Sequence, residues 1–206
     1  LFFDFTYPET KKDFSSPESK EGWVGKSAED WDAAGLLAMC RELQPGVLIN
    51  DRLGIPGDFV TPEQYQPTEP VMNDGVPVIW EACQTTNGSW GYHRDNDDHK
   101  APDLLIRMLA DSVSMNGNML LNIGPNGRGA VDARDARLLG QIGEWMRLHE
   151  RSIVGAGHAP FTPPREGVYT LRGNKLYLHL FSWPMGYVHL PELAGVSTYA
   201  RLLHDG

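Results

Sequence analysis

The chain has 206 residues, 41% of them hydrophobic, and a formal net charge of −9 at pH 7. This length suffices for one sizeable domain with an appendage, and the hydrophobic fraction excludes a chain that is disordered throughout. Because an acidic chain is repelled by phosphate backbones and no apolar run reaches bilayer length, we expect neither a nucleic-acid nor a membrane partner.

Four short apolar segments predict the strands of a parallel sheet, because strands buried on both faces read as continuous apolar runs. They cover residues 1–5, 47–49, 76–80 and 119–123. Helix start signals lie between and after these segments. Ser27 with Asp30 resembles a capping box, Pro102 suits a first helical position, and Asp132 opens a third helix.

Long polar loops follow the predicted strands, over residues 8–26, about 54–75 and 87–100. The repeated strand and helix order with such loops predicts an α/β fold with the loop-lined face of an enzymatic barrel. A complete (β/α)8 barrel needs about 250 residues, so residues 1–151 are expected to hold about half of one.

The pattern changes after this part of the chain, where three prolines predict a linker. Two further strands are predicted over residues 168–171 and 176–180, so residues 152–206 are expected to begin an all-β domain. These strands are too few to close a sandwich, and the chain opens directly on a predicted strand without Met. We therefore expect it to be a piece of a longer protein.

Asp4 and Glu63 are the carboxylates best placed for catalysis. Asp4 follows apolar residues at the end of the first predicted strand, where active sites form in parallel α/β folds. Glu63 lies in the loop after the second predicted strand. Two such carboxylates can converge on one glycosidic bond, about 5–5.5 Å apart in retaining enzymes. The residues alone leave two alternatives open: Asp4 caps a loop, and Glu63 belongs to the first turn of a short helix.

Aromatic residues near the third predicted strand suit a sugar-binding surface. Trp80 and Glu81 are expected to end that strand, and Trp90 and Tyr92 lie in the next loop. Aromatic rings pack on the apolar face of a deoxy-sugar, and Trp and Tyr also bond to hydroxyls. Glu81 is a rival catalytic carboxylate or an orienting residue, and core packing is the alternative for both tryptophans.

No metal site and no cofactor are expected. Residues 93–99 are rich in His and Asp but lack the ligand spacing of a zinc motif or a calcium loop. Residues 124–129 are rich in Gly but lack the Lys-Ser/Thr ending of a P-loop. Cys40 and Cys83 do not make a disulfide framework, and Cys83 is expected to be a buried structural residue.

Six segments follow one another along the chain: Leu1-Phe2-Phe3-Asp4, Ile49-Asn50-Asp51-Arg52, Gly57-Asp58-Phe59-Val60-Thr61-Pro62-Glu63, Trp80-Glu81-Ala82-Cys83, Ser89-Trp90-Gly91-Tyr92 and Gly117-Asn118-Met119-Leu120-Leu121-Asn122-Ile123-Gly124-Pro125. In this order they resemble the α-L-fucosidases of glycoside hydrolase family 29. The resemblance implies the C-terminal half of a (β/α)8 TIM-like barrel over residues 1–151. It implies the start of a β-sandwich domain over residues 152–206.

The resemblance also implies an activity, the retaining hydrolysis of terminal α-L-fucosides through a covalent fucosyl-enzyme without a cofactor. Asp4 falls on the family's nucleophile, and Glu63 falls on the acid/base of many members. In other members the acid/base comes from the loop that here offers Asp95, Asp97 and Asp98. The implied partner is a fucosylated glycan or glycoside, the implied location is extracellular, periplasmic or lysosomal, and an oligomer stays open.

The chain departs from the family pattern in two places. Some members bind fucose through an Arg near Gln84, where this chain has Gln, whereas Trp90 resembles a tryptophan that borders the fucose site. The family's fucose-binding histidines lie in the N-terminal half of the barrel, which this chain lacks, so the isolated chain is expected to be inactive. The alternatives are a non-catalytic carbohydrate-binding protein on a degenerate barrel and a barrel glycosidase for another sugar.

Overall fold

The structure is a computed structural model that describes residues 1–4, 6 and 26–205. Of the loop predicted over residues 8–26, only the last residue is among those described.

The chain divides into two compact units, Leu1–Thr61 and Pro62–Gly206. The first unit holds helix α1 (Ala33–Leu43). Its N-cap, Asp32, accepts a hydrogen bond from the Gly35 backbone N–H at 3.2 Å. This bond satisfies one of the free donors at the start of the helix.

The predicted capping box forms before α1. The Ser27 backbone N–H donates to the Asp30 carboxylate at 2.8 Å, and the Asp30 N–H donates to the Ser27 hydroxyl at 3.3 Å. The box closes a turn that leads into the helix, because the helix itself begins only at Ala33. The core of this unit consists of Ala33, Ile49 and Leu53.

Regular strands predicted over residues 1–5 and 47–49 are wrong for the residues that the structure describes there. The Asn50 backbone N–H donates to the Leu1 carbonyl at 3.2 Å. The Asn50 side-chain amide bonds both the N–H and the carbonyl of Phe3, each at 2.9 Å. The Asn50 side chain therefore makes the hydrogen bonds to Phe3 that a neighbouring strand would otherwise make. The two segments for this reason do not form a regular sheet.

A short antiparallel hairpin, β1 (Met72–Asn73) and β2 (Val76–Pro77), lies in the second unit. It was not expected, because residues 54–75 read as a loop. Asp74 and Gly75 form its turn with φ values of 49° and 78°. An Asp-Gly pair favours this positive-φ turn, and it is the local signal that predicts such a hairpin.

A parallel strand pair joined by a helix forms the centre of the second unit. It consists of β3 (Trp80–Thr85), α2 (Pro102–Ser114) and β4 (Gly117–Asn122). The strands pair in parallel, with Trp80 opposite Gly117. The helix start at Pro102 and the fourth predicted strand are confirmed.

The third predicted strand, over residues 76–80, is wrong in its position. Trp80 begins β3 instead of ending a strand. The strand continues through five more residues of mixed polarity, because its hydrogen bonds are taken up by β4 on one side and by the backbone around Glu63 on the other. Such a strand is buried on both sides, so its sequence shows neither the alternation of apolar and polar residues nor the continuous apolar run by which strands are predicted.

The rest of the second unit is a helix followed by a hairpin. Helix α3 (Ala133–His149) has Asp132 as its N-cap, as predicted, and leads into a 3₁₀ turn, Glu150–Ser152. Strands β5 (Gly167–Arg172) and β6 (Lys175–Leu180) pair antiparallel, which confirms the hairpin predicted from the two apolar runs. The chain also has a 3₁₀ turn near its end.

Apolar side chains of α2, α3 and the β5–β6 hairpin share one core. Its buried residues are Ala110, Val113 and Ile153, and Trp145 and Val168 pack against them. The hairpin therefore packs on α2, the helix that joins the two strands of the parallel pair.

The architecture of the described residues is α/β with three two-stranded sheets. The partial barrel, and the domain boundary predicted between residues 151 and 152, stay predictions. None of the helices in the described part of the chain combines the length and the apolarity that crossing a bilayer requires.

Candidate active site

Asp4 forms an ion pair with Arg52 in the first unit, with 3.0 Å between Arg52 Nη1 and Asp4 Oδ1. The Asp4 side chain is 43% exposed, whereas that of Arg52 is 17% exposed. The guanidinium also lies over the ring of Phe2, 5.1 Å from its centroid. The arginine is thus the fixed partner, and it holds an accessible carboxylate in place.

Arg52 also bonds to the loop that leads towards Glu63. Its Nε donates to the Thr61 hydroxyl at 2.8 Å, and its Nη2 donates to the Thr61 carbonyl at 3.4 Å. The Thr61 hydroxyl in turn donates to the Asp51 carboxylate at 2.7 Å. One guanidinium therefore connects Asp4 with a residue that stands two positions before Glu63 in the sequence.

Asp58 anchors the start of this loop. Its carboxylate pairs with Arg41 at 2.6 Å and accepts the Ile49 backbone N–H at 2.7 Å. These contacts lower the pKa of Asp58, the bond to Arg41 having the largest effect. Gly57 packs directly on the backbone carbonyl of Asn50, so that a side chain at Gly57 would collide with it.

No role was predicted for Arg52 from the sequence, although Ile49-Asn50-Asp51-Arg52 was one of the segments that resembled the family. A single arginine directly after a buried apolar run, in a loop rich in carboxylates, is the signal that indicates such a partner.

Glu63 lies in the second unit and is exposed. It forms an isolated parallel bridge with Cys83 of β3, made by the Gln64 N–H to the Cys83 carbonyl at 2.9 Å and the Cys83 N–H to the Pro62 carbonyl at 2.8 Å. Residues opposite each other in such a bridge carry their side chains on the same face. Glu63 therefore shares a face with Cys83 and, two residues earlier in β3, with Glu81. The helical alternative for Glu63 is not observed.

Glu81 is half-buried as the second residue of β3. Its burial raises the pKa of the carboxyl above the ordinary value for Glu. A carboxyl of this kind remains a rival acid/base candidate.

Trp80 is fully buried, on the face of β3 opposite to Glu81. Its indole N–H donates to the Met115 carbonyl at 3.0 Å, and its ring lies so close to Gly117 that any side chain there would collide with it. The structure therefore places Trp80 in the packing between α2 and β4. This burial argues against direct contact of Trp80 with a substrate.

Trp90 and Tyr92 lie in the loop after β3 and are 44% and 41% exposed. The Asn122 side-chain amide donates to the Trp90 carbonyl at 2.7 Å. Gly124 lies against the backbone of Gly91 and Tyr92, in a space that no side chain could share. The end of β4 thus fixes the backbone and leaves part of both rings accessible.

The loop carboxylates Asp95 and Asp97 are each engaged by an arginine. Asp95 pairs with Arg94 at 3.0 Å, and Asp97 pairs with Arg134. Both carboxylates are mostly in solvent, at 71% and 86% exposure. Asp98, the third candidate of this loop, donates its backbone N–H to the side chain of Asn96.

Two further expectations concern Gln84 and metal binding. Gln84 is buried in β3, and its side-chain nitrogen has no hydrogen-bond acceptor among the residues that the structure describes. Within the same residues, no group of three His, Cys, Asp or Glu side chains is arranged to hold a metal ion. Cys83 is buried, as expected.

Comparison with known proteins connects these residues to one family. The family model described as Alpha-L-fucosidase matches residues 1–151. The plasma α-L-fucosidase of Homo sapiens is 30% identical over 145 residues, which cover 65% of this chain and 30% of that protein.

Two solved structures show similarity in both sequence and fold. The α-L-fucosidase isoenzyme 1 from Paenibacillus thiaminolyticus is 42% identical with a TM-score of 0.87, covering 100% of this chain and 48% of that one. A family 29 α-L-fucosidase from Bacteroides thetaiotaomicron is 30% identical with a TM-score of 0.70, covering 79% of this chain and 42% of that one. The chain thus spans less than half the length of each of these relatives.

Proposed function

The chain belongs to the α-L-fucosidase family of glycoside hydrolases, and from this premise we propose that its protein is a retaining exo-α-L-fucosidase. The substrate is a fucosylated glycan or glycoside with a terminal α-L-fucosyl residue. One observation carries the proposal: the residues that match the family, 1–151, contain Asp4, Glu63 and the half-exposed aromatics Trp90 and Tyr92.

In the proposed first step, an Asp4 carboxylate oxygen attacks the anomeric carbon of the fucoside. The bond from that carbon to the aglycone oxygen breaks, and the leaving oxygen takes a proton from Glu63. The ion pair with Arg52 holds the Asp4 carboxylate in a fixed orientation, which is what in-line attack requires. The products are the free aglycone and a fucosyl ester of Asp4.

In the second step, water attacks the same carbon while the Glu63 carboxylate accepts its proton. The ester bond to Asp4 breaks, and fucose leaves with its original anomeric configuration. The Bacteroides thetaiotaomicron relative supports this route by analogy, because its structure is that of a trapped covalent intermediate, obtained with a Glu-to-Gln mutant and 2-fluoro-fucosyl fluoride. The Glu63 assignment has a rival in Glu81, whose pKa is raised by burial.

The sugar-binding roles follow from exposure and chemistry. Trp90 and Tyr92 offer ring faces to the apolar side of the deoxy-sugar. Glu81 orients the sugar or the water from the face it shares with Glu63. Trp80, predicted as a substrate contact, contributes through the packing that holds β3 instead.

The architecture is part of the proposal. Residues 1–151 form the C-terminal half of a (β/α)8 barrel, and residues 152–206 begin a β-sandwich domain. The parallel pairing of β3 and β4 through α2, and the similarity to longer family members, support this arrangement.

The test uses the complete natural polypeptide that carries these residues. It is incubated with a panel of 4-nitrophenyl glycosides, and the anomer first released from the α-L-fucoside is read by proton NMR. We expect hydrolysis of the α-L-fucoside with the α-anomer formed first, whereas hydrolysis of another sugar, or initial release of the β-anomer, would refute the proposal.

A second readout locates the nucleophile. The polypeptide is treated with 2-fluoro-fucosyl fluoride and digested, and the labelled peptide is sequenced by mass spectrometry. The label is expected on Asp4. Binding of fucose without turnover or labelling would instead favour a non-catalytic carbohydrate-binding protein.

A further inference from the structure

Arg134, the second residue of α3, binds the loop that follows Tyr92. Its Nη1 donates to the Asn96 carbonyl at 3.0 Å and to the Asp97 carboxylate, and its Nη2 donates to the Arg94 carbonyl at 3.3 Å. Its Nε donates to the Asp132 carboxylate at 2.9 Å. One guanidinium therefore fixes two loop carbonyls and one loop carboxylate to the first turn of a helix.

The Asp132 contact keeps the guanidinium itself in place. Asp132 is the N-cap of α3, and it accepts both the Arg134 backbone N–H and the Arg134 Nε. These bonds lower the pKa of Asp132 and raise that of Arg134. Arg134 thus attaches the loop to the start of a helix, and Asp132 fixes the orientation of the Arg134 side chain.

Asn96 transmits this attachment to the aromatic segment. While its carbonyl accepts from Arg134, its side-chain nitrogen donates to the Asn87 carbonyl at 2.9 Å and to the Ser89 hydroxyl at 3.1 Å. Ser89 directly precedes Trp90. The bonds of Asn96 therefore fix the backbone from which the Trp90 ring extends.

A second contact holds the far end of the same loop. His99 Nε2 lies 3.4 Å from Asp135 Oδ1, a close contact without a hydrogen bond. The Lys100 backbone N–H donates to the Thr86 carbonyl at 2.8 Å. The loop is thus attached on both sides of residues 94–97, and Arg134 makes the contacts in the middle.

We propose that Arg134 is a positioning residue that holds the loop of residues 87–98 so that Trp90 and Tyr92 receive the fucosyl group. The proposal rests on the proposed function for the identity of the sugar. It concerns binding more than bond breaking, because Arg134 acts through the aromatic segment.

The planar guanidinium is essential to this role. Its donors reach the carbonyls of Arg94 and Asn96 and the carboxylate of Asp97 from one position. A Lys ammonium is a compact point charge, and it cannot reproduce this fork of donors. Arg134→Lys should therefore behave almost like Arg134→Met.

The test compares these two variants with Arg137→Met in the complete natural polypeptide. Arg137 is exposed on the same helix, so its variant removes the same charge from α3. KM and kcat are measured with 4-nitrophenyl α-L-fucoside, and amide hydrogen exchange is followed over residues 87–98. We expect Arg134→Met to raise KM about tenfold with a smaller change in kcat, and to speed up exchange in that loop, whereas the control does neither.

A double-mutant cycle with Trp90→Ala tests the route. If Arg134 acts through Trp90, the Arg134→Met effect on KM shrinks to less than twofold in the Trp90→Ala background. Fully additive effects, or unchanged exchange over residues 87–98, would overturn the proposal. Asn96→Ala, which keeps Arg134, is expected to raise KM similarly and serves if Arg134→Met does not fold.

The two proposals fail in different ways. If the unmodified polypeptide hydrolyses no α-L-fucoside, the proposed function is wrong. The identification of the fucosyl group as the ligand of this loop is then wrong as well. If it does hydrolyse the fucoside but Arg134→Met leaves KM and loop exchange unchanged, only the positioning role is wrong.

Discussion

The two units of the chain support their candidate residues in different ways. In the first, the Asn50 side chain bonds the backbone of Phe3, and Arg52 pairs with the Asp4 carboxylate. In the second, Glu63 and Trp90 follow or flank regular strands, and helices pack against these strands. Individual polar side chains therefore hold the candidate site residue of the first unit in place. In the second unit, strand hydrogen bonds and apolar packing do so.

The packing of the second unit also contains a buried polar cluster. The Thr170 hydroxyl donates to the Ser152 carbonyl at 2.7 Å, and its oxygen lies 3.0 Å from His179 Nε2. Trp145 stacks on His149 with 4.6 Å between the ring centroids. Polar groups are thus present in both units, but here they are enclosed by helix and hairpin.

The largest effect is expected at Asp4, the proposed nucleophile. Asp4→Asn removes the attacking carboxylate but keeps the shape of the side chain, so kcat for an α-L-fucoside should fall about 10⁴-fold or more. The measurement is turnover of 4-nitrophenyl α-L-fucoside by the complete polypeptide. Asp74→Asn, in the exposed turn of the β1–β2 hairpin, is the matched control and should keep full activity. Near-normal turnover by Asp4→Asn would remove Asp4 from the mechanism.

Glu63→Ala is expected to have the next largest effect. Loss of the acid/base should lower kcat about 10²- to 10⁴-fold, and azide should restore activity because it attacks the fucosyl ester without needing a base. Glu69→Ala, an exposed residue of the same loop, is the control. If Glu63→Ala keeps full activity, the acid/base lies at Glu81 or in the loop carboxylates.

Features with local chemistry were predicted from the sequence. Pro102 and Asp132 mark helix starts because the first helical turn has free N–H groups and tolerates a proline. The β5–β6 hairpin was predicted because two apolar runs surround a short turn. The position of β3 was not, since burial on both sides depends on partners distant in sequence.

The candidate site shows the same limit. Asp4 and Glu63 were proposed from strand-end position and from resemblance. Trp80 was misplaced, because an error of a few residues in a strand moves a side chain from the loop end to the packed core. The contacts of Arg52 with Asp4 and of Arg134 with the loop link residues far apart in sequence, so a local pattern that singles out an arginine does not say which residue it contacts.

Asn50→Ala tests the claim that a single polar side chain holds the first unit. Asn50 is fully buried, and its loss leaves the N–H and the carbonyl of Phe3 without these bonds. At about 1–3 kcal/mol for each group left unpaired, the free energy of unfolding should fall by about 4 kcal/mol. Urea denaturation measures it, with the exposed Asn174→Ala as control. A loss no greater than that of the control would mean that polar bonds matter little in this unit.

The smallest effect concerns His179 in the enclosed cluster of the second unit. Burial lowers its pKa to about 4 from 6.5. The folded state therefore binds fewer protons than the unfolded state between these values, and stability falls as the pH is lowered through this window, with no further loss below about pH 4. Between pH 7 and pH 5 the free energy of unfolding should fall by about 2 kcal/mol for this reason.

The measurement is the free energy of unfolding of the complete polypeptide at pH 7, 6 and 5, with and without His179→Gln. Removing the titrating ring should flatten the pH dependence by about 2 kcal/mol, because a neutral amide has no proton to gain on unfolding. His189→Gln, an exposed histidine beyond the hairpin, should leave the slope unchanged. Equal slopes in all three proteins would mean that the cluster is open to water, and that the second unit is enclosed no better than the first.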